Sequence, residues 1–350
     1  MAKRTRVFLF AAAGVLVAAL ATGLVAWASG ASLLAALGAN GPDELAYVPA
    51  TAQMVAYANM RELMNSPFRD RFRQFETTRP STPDGIEART GIKFDTDIDR
   101  VLIASMGDNI APLVAPPPGV GAVSGSPSLV IARGRFDVVR IEALMREQGA
   151  DVEQYRGKRV VSIRDATNNS ALTFAEPGLL LFGPRDAVRG ALDAKAGATD
   201  GIGANKEFMA LVNQVDEGTA WSVAKFDSVS GRAPLPPAVI NQLPPINWLA
   251  ASGRVDSGLH GLVRAEARDE QSAQNLRDVV QGFLALAKLQ GSREPAYKGA
   301  LDSVALTADG KSVSLSFELT PAVLDLLSSP ANAPRRPAAP RRPQAAPQAF

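Results

Sequence analysis

The sequence of 350 residues contains no cysteine and only one histidine, His260. Without cysteine the chain has no disulfide, no thiol nucleophile, no iron–sulfur cluster and no Cys-ligated metal. A single histidine excludes a zinc or iron site built from several imidazoles, and a Ser-His-Asp mechanism would have to use His260. We therefore expect no metal and no cofactor, and we find no catalytic constellation.

Apart from its two ends, the sequence has no excess of basic residues. Of its 37 Lys and Arg residues, three precede the first apolar segment and four lie in the last sixteen residues. The part between these ends carries 30 basic and 35 acidic residues, so it is slightly acidic. A nucleic-acid binder should present a basic face, so we expect no nucleic-acid partner.

Charge and proline are both missing from residues 7–28, "VFLFAAAGVLVAALATGLVAWA". A helix of this length can span a hydrocarbon core of about 30 Å. The basic residues of the stub 1–6 stand before it, which predicts an N-terminus in the cytoplasm and a body on the periplasmic or extracellular side. We expect a single-pass anchor in the inner (cytoplasmic) membrane. The alternative is a signal peptide cleaved after "AWA", residues 26–28, and secretion of the body.

The last segment, residues 330–350, contains six prolines and a repeated "APRRP". Proline lacks a backbone donor and fixes φ, so this segment is predicted to be a disordered, extended tail. A tail with four arginines is suited to contact an anionic surface: Arg335, Arg336, Arg341 and Arg342. The alternative is a solvated end without a partner.

Between these ends, strand-like and helix-like periods alternate. Residues 54–59, 100–106 and 128–133 read as strands, and residues 61–75 read as a helix. A helix after Asp137 carries the apolar stripe Val138, Ile141, Leu144 and Met145. Two hairpins are predicted around Gly157-Lys158 and Pro177-Gly178, followed by a helix from Pro184. This order predicts an α+β fold with a mainly antiparallel sheet and helices packed on one face.

The same order of elements is written twice. "TAWSVAKFDSVS" (219–230) matches "AQMVAYANMREL" (52–63), and later segments follow in the same sequence. In this interpretation "YKGALDSVAL" (297–306) corresponds to the hairpin "YRGKRVVSI" (155–163), and a turn lies at 256–258. We predict a linker at 29–44 and two degenerate tandem repeats at 45–197 and 198–329. One long curved sheet shared by both halves is the alternative to two domains.

The segments "LAYVPATAQMVAYANMRELMNSPFRDRF", "TGIKFDTDIDRVLIA", "VIARGRFDVVRIEALM" and "YRGKRVV" carry a resemblance over most of residues 45–225. They resemble exported bacterial proteins of unknown function that have tandem α+β repeats and one N-terminal membrane segment. The resemblance implies a fold and a location. It implies no catalytic residue for this chain.

Two motifs look like ligand sites and are better explained as turns. "FDTDIDR" (94–100) spaces three aspartates like a calcium loop, but Arg100 and Met106 stand where the loop needs glycine and glutamate. "DGKS" (309–312) resembles the end of a P-loop, but residue 305 is alanine and a strand pattern follows. We therefore predict a capped turn before the strand at 100–106 and a hairpin turn at Asp309-Gly310.

The remaining candidates also have plainer explanations. Neither "GVGAVSG" (119–125) nor "GIGAN" (201–205) lies between a strand and a helix in the order that a dinucleotide loop requires. His260 is predicted to lie on the solvated side of a strand together with Arg264, Glu266 and Arg268, opposite Leu259, Val263 and Ala265. "PLPPAVINQLPPINW" (234–248) either binds a partner groove or wraps the sheet between the halves.

These patterns favour a non-enzymatic, membrane-anchored or exported protein of the cell envelope that acts as a binding or scaffold module. The alternative is a carrier of a lipid or another hydrophobic ligand, held between the sheet and its helices. The expected partners are the membrane, through residues 7–28, and an envelope protein or lipid. A large apolar cavity would favour the carrier, whereas filled cores and a polar open sheet face would favour the scaffold.

Overall fold

The structure is a computed structural model that describes residues 42–66, 69, 92–107, 128–147, 149–164, 169–215, 218–227, 243–255, 258–291, 295–321 and 323. The predicted membrane segment, most of the linker and the arginine-rich tail lie outside these residues. Among the helices of the described ranges, none is both long enough and apolar enough to cross a membrane.

Twelve strands and seven α-helices make up the described fold. The strands are β1 Met54–Ala58, β2 Ile98–Ser105, β3 Ser128–Gly134, β4 Asp151–Tyr155, β5 Lys158–Arg164, β6 Asn169–Glu176, β7 Leu179–Pro184, β8 Ala220–Lys225, β9 Ile246–Val255, β10 Leu259–Ala267, β11 Ala305–Asp309 and β12 Ser312–Leu319. The helices are α1 Met60–Asn65, α2 Phe94–Asp97, α3 Val138–Glu147, α4 Arg185–Lys195, α5 Lys206–Val215, α6 Glu270–Gly291 and α7 Pro295–Asp302. Two 3₁₀ helices lie at Asp43–Tyr47 and Ile202–Ala204.

All twelve strands form one antiparallel sheet, in the order β11-β12-β10-β9-β8-β1-β2-β3-β7-β6-β5-β4. The two halves of the chain meet at its centre, where β1 pairs with β8 and Ala56 lies opposite Ser222. From this pair outward, β1-β2-β3-β7-β6 on one side has the same sequential pattern as β8-β9-β10-β12-β11 on the other. The predicted α+β class with a mainly antiparallel sheet is confirmed, and a single sheet runs through both halves.

Helices cover both faces of the sheet, so the prediction that they pack on one face was wrong. On one face, which we call the α4 side, Leu181 of β7 packs with Leu192 of α4 and Phe208 of α5. On the opposite α3 side, Leu180 packs with Ile141 of α3. Because adjacent strand residues are both buried here, each face needs its own cover. The run "LLLF" in β7 is the sequence signal for this arrangement.

Over β10 and β12 the helical cover lies on the α3 side. Leu276 of α6 packs there with Ala265 of β10 and Val313 of β12. Ala300 of α7 packs against a neighbouring cluster that includes Phe317 of β12. The helix α6 therefore continues the cover that α3 provides in the first half.

The hairpin turns predicted around Gly157, Gly178 and Gly310 are confirmed, although two of them lie one position from the predicted pair, at 156–157 and 310–311. The turn predicted at 256–258 lies mostly outside the described residues. Gly157, Gly178 and Gly310 all adopt positive φ between paired strands. At Gly178 (φ 71°) an added Cβ would lie 2.7 Å from the carbonyl oxygen of Gly134, so both the conformation and the space require glycine. The helix expected from Pro184 is α4, which begins at Arg185.

One predicted hairpin was wrong. Residues 297–306 were matched to the β4–β5 hairpin, but Pro295–Asp302 forms the helix α7 and only β11 follows. The segment "PAYKGALD" has no β-branched residue, and proline is tolerated in the first turn of a helix. Packing of Ala300 against the sheet then selects the helix. The predicted helix at 61–75 is described only as far as Asn65, where α1 ends.

Candidate functional site

A surface without described helical cover lies on the α4 side of β10, β11 and β12. Cover on this side ends at β9, where the ring of Phe208 in α5 meets Trp248 edge-on with 5.9 Å between centroids. The helices that contact β10 and β12, α6 and α7, lie on the other face. We call this surface, formed by the residues of β10–β12 that point to the α4 side, the open face.

Polar side chains dominate the open face because the three strands alternate with period two. The residues that β10 and β12 contribute to it are His260, Leu262, Arg264, Glu266, Ser312, Ser314, Ser316 and Glu318. Ser312 Oγ donates a hydrogen bond to Glu266 Oε2. The apolar residues that alternate with them in β10 and β12 point to the opposite face, where α6 and α7 pack. This is the alternation predicted for Leu259–Ala267.

Arg264 is the most distinctive residue of the open face. It lies between Ala250 of β9 and Ser314 of β12, both short side chains, so its stem rests on the sheet. Its Nε is buried and has no hydrogen-bond acceptor among the described residues. A buried donor without an acceptor is costly to the folded state.

A groove of about 600 Å³ lies at the end of the open face where β8 ends and β9 begins. Its base includes Trp248, which lies opposite Glu266, and Lys225 Nζ lies 5.7 Å from the centroid of the Trp248 ring. The polar lining includes Asn205 and Arg268. The side chain of Asn205 also caps α5 by accepting a hydrogen bond from the Phe208 N–H. This arrangement is suited to hydrogen bonding with a polar partner.

His260 lies on the open face, as predicted, opposite Arg254 of β9 and Glu318 of β12. The nearby Ser316 belongs to a regular strand, whereas a serine nucleophile usually sits on a strained strand-to-helix turn. The arrangement supplies hydrogen-bonding groups and lacks the geometry of a nucleophile elbow.

The other motif residues take structural roles. Asp97 Oδ2 accepts from the Lys93 N–H in the short helix α2, where a capped turn was predicted before β2. Asp99, at the start of β2, forms an ion pair with Arg61 at 2.7 Å. Residues 202–204 of "GIGAN" form a 3₁₀ helix. The described ranges contain no cluster of three or more metal-ligating side chains. The loop 119–125 and the arginines at 335, 336, 341 and 342 lie outside those ranges.

A buried charged network fastens the first 3₁₀ helix to the α4 side. Glu44 is 2% exposed and its Oε1 accepts from Arg133 Nε at 2.5 Å, while its Oε2 has no partner in the described part of the chain. Tyr47 donates to Glu176 at 2.8 Å, and Lys195 Nζ lies 4.9 Å from the Tyr47 ring centroid. Burial raises the pKa of Tyr47, and its hydrogen bond lowers the pKa of Glu176.

A second network joins α4 to the edge strand β4. Glu153 accepts hydrogen bonds from Arg185 and Arg189, and the bond from Arg185 contributes most to lowering the pKa of Glu153 to about 2. Tyr155 donates to Asp193 at 2.7 Å, which lowers the pKa of Asp193. Both networks hold elements together and leave their charges largely paired.

Sequence reasoning missed the Glu44–Arg133 pair and the groove. Glu44 and Arg133 are 89 positions apart, and nothing local to either one identifies the other. The helix α5, which supplies Asn205 and the cover over Trp248, was not predicted either. Its apolar spacing at Phe208, Leu211 and Val212 was the available signal.

No family model matches the chain, and no curated protein matches it in sequence. A solved structure described as "Structure of crystal form III of TP0453" is similar, with 9% sequence identity and a TM-score of 0.47. The similarity covers 81% of this chain and 96% of that chain. A similarity this distant supports no conclusion about the chain, and the resemblance to exported repeat proteins stays a prediction.

Proposed function

We propose that the chain is a non-enzymatic module of the cell envelope, held by residues 7–28 in the inner membrane, whose body binds or scaffolds another envelope component. The charge-free segment and the basic residues before it support the location. The mirrored strand order supports two degenerate tandem repeats built around the β1–β8 pair.

The observation that carries the proposal is the contrast between the two ends of the α4 side. Where α4 and α5 cover the sheet, the space between sheet and helices is filled by side chains such as Trp221 (1% exposed), Phe208 (0%) and Leu181 (0%). Over β10–β12 the same side presents serines and charged side chains, of which Ser316 and Glu318 are exposed. Filled layers and a polar open face suit recognition at a surface.

A carrier of a hydrophobic ligand would need apolar space between sheet and helices. In the described fold that space is occupied by the core, and the groove at the end of β8 is open, with Asn205, Lys225 and Arg268 in its lining. The contacts of this groove match a polar partner better than an acyl chain.

The proposal is tested by site-specific photo-cross-linking of the full chain in its own membranes. A photoreactive residue at Ser316, which is exposed on the open face, should give a discrete adduct with an envelope protein or glycan. The matched control is Val139 of α3, which is 80% exposed and lies on the other side. Lipid adducts at both positions, or no adduct at Ser316, would contradict the proposed surface.

The anchor is tested separately. Full-length chain should float with membranes and keep residue 1 on the cytoplasmic side, protected from added external protease. A mature N-terminus near Ser29 would instead show a cleaved signal peptide and a released body.

A further inference from the structure

The edge strand β11 is exposed and carries little that would prevent pairing. Ala305, Thr307, Ala308 and Asp309 are all exposed, and Asp309 is the strand's one charged residue. The opposite edge is different, because β4 carries Asp151 and Glu153 and Glu153 is bound by two arginines. Charged side chains are a common means of blocking edge-to-edge pairing, so of the two edge strands β11 is the one more open to pairing.

The internal symmetry of the sheet shows what can lie beside β11. In the order from the centre outward, β11 occupies the position that β6 has in the first half. The outer side of β6 pairs with β5, whereas the order ends at β11 in the described second half. An additional antiparallel strand at this position is therefore compatible with the architecture.

The hairpin geometry identifies the backbone groups that point outward. Asp309 pairs with Ser312 around a two-residue turn, and Thr307 pairs with Ser314. In such a hairpin the pair next to the turn is hydrogen-bonded, and the bonding pairs alternate along the strand. The N–H and C=O groups of Leu306 and Ala308 therefore point away from β12.

We propose that a second copy of the chain pairs at this edge, β11 against β11, antiparallel about a two-fold axis at Thr307. Leu306 of one copy then lies opposite Ala308 of the other, and Thr307 lies opposite Thr307. Like charges do not meet, since Asp309 lies opposite Ala305. An isologous two-fold contact needs this self-complementarity, and facing threonines are a favourable cross-strand pair.

The chain's own tail fits the edge less well. Its six prolines from position 330 onward lack the N–H groups that a ladder requires. Pairing through β11 goes beyond the proposed function and does not depend on it, since a scaffold module could act as a single chain.

The absence of cysteine allows a direct test on the full chain in mild detergent. In the proposed dimer Thr307 forms a non-hydrogen-bonded pair with Cα atoms about 4.5 Å apart, within the range that a disulfide accepts. Under mild oxidation T307C should form a dimer on a non-reducing gel. A305C, on the same strand and the same face, should not, whereas a mixture of A305C and D309C should form the heterodimer. V139C on α3 reports random collisions.

A second pair of variants tests the contact without cysteine. A308P removes an outward N–H and keeps the hydrogen bonds to β12, and T307K places two like charges at the two-fold axis. Each should reduce the mass in light scattering from two chains to one, with unchanged fluorescence of the buried Trp221. A single-chain mass for the unmodified protein, cross-linking of T307C no faster than of V139C, or an unchanged dimer in folded T307K would each overturn the proposal.

Discussion

Removal of Arg133 should destabilise the protein far more than removal of an exposed arginine. In Arg133→Met the carboxylate of Glu44 stays in place but loses its counter-ion at 2.5 Å. Glu44 is 2% exposed, and one of its oxygens already lacks a partner among the described residues. Breaking a buried pair from one side typically costs about 3–5 kcal/mol. Because Arg133 is 27% exposed and water reaches part of the site, we expect the lower end of that range.

The assay is urea unfolding of the full chain in mild detergent, followed by tryptophan fluorescence, to which the buried Trp221 contributes. The double variant E44Q/R133M should recover part of the lost free energy of unfolding, since the uncompensated charge is gone. Arg61→Met is the matched control, because Arg61 pairs with Asp99 at 2.7 Å and is 60% exposed, so it should cost less than about 1 kcal/mol. An equal, small cost for R133M and R61M would refute the idea that Glu44 is shielded from water.

Three further changes have defined outcomes. Arg185 lowers the pKa of Glu153 from 4.5 to about 2, so the ion pair stabilises the fold above pH 4.5 and is lost as the pH falls toward 2. The variant E153Q should therefore be about 1–2 kcal/mol less stable than the unmodified protein at pH 7. Urea unfolding at several pH values should show this difference closing below pH 4. Burial raises the pKa of Tyr57 from 10.0 to about 12, so stability should fall as the pH rises from 10 to 12, and Y57F should lose less stability over that interval in alkaline unfolding. The ring of Phe317 lies over Gly261 and leaves no room for a Cβ. The variant G261A should therefore lower the free energy of unfolding by about 1–3 kcal/mol, measured by thermal or urea unfolding. The double variant G261A/F317L, with a smaller side chain at 317, should recover part of that free energy.

The parts of the fold that sequence predicted are those specified within one segment. The alternation of Leu259–Ala267 placed Arg264 and Glu266 on the correct side, and glycine at 157, 178 and 310 located three hairpin turns. These features depend on period-two patterning and on positive φ, which adjacent residues determine.

The features that sequence missed depend on contacts made far along the chain. The segment "PAYKGALD" resembled a hairpin by its position in the repeat, but its packing through Ala300 onto the sheet makes it a helix. The side on which α4 packs was also mistaken, because α4 and α3 bury opposite faces of the same strands. The groove is formed by α5, β8 and β9 together, so no single segment of the sequence predicts it.

The central position of β1 has a consequence for how the body can form. Its Ala56 pairs with Ser222, nearly half of the chain's length further on. The first strand of the fold therefore completes its pairing only after β8 has been synthesised. If the body crosses the membrane from the anchor onward, with the N-terminus kept in the cytoplasm as proposed, β1 and β2 can pair soon after emergence while the other edge of β1 stays unpaired until β8 arrives. Non-local pairing of this kind is slow and exposes a strand edge to wrong partners. The rate of translocation, and any chaperone that shields β1 meanwhile, would then set the yield of folded protein.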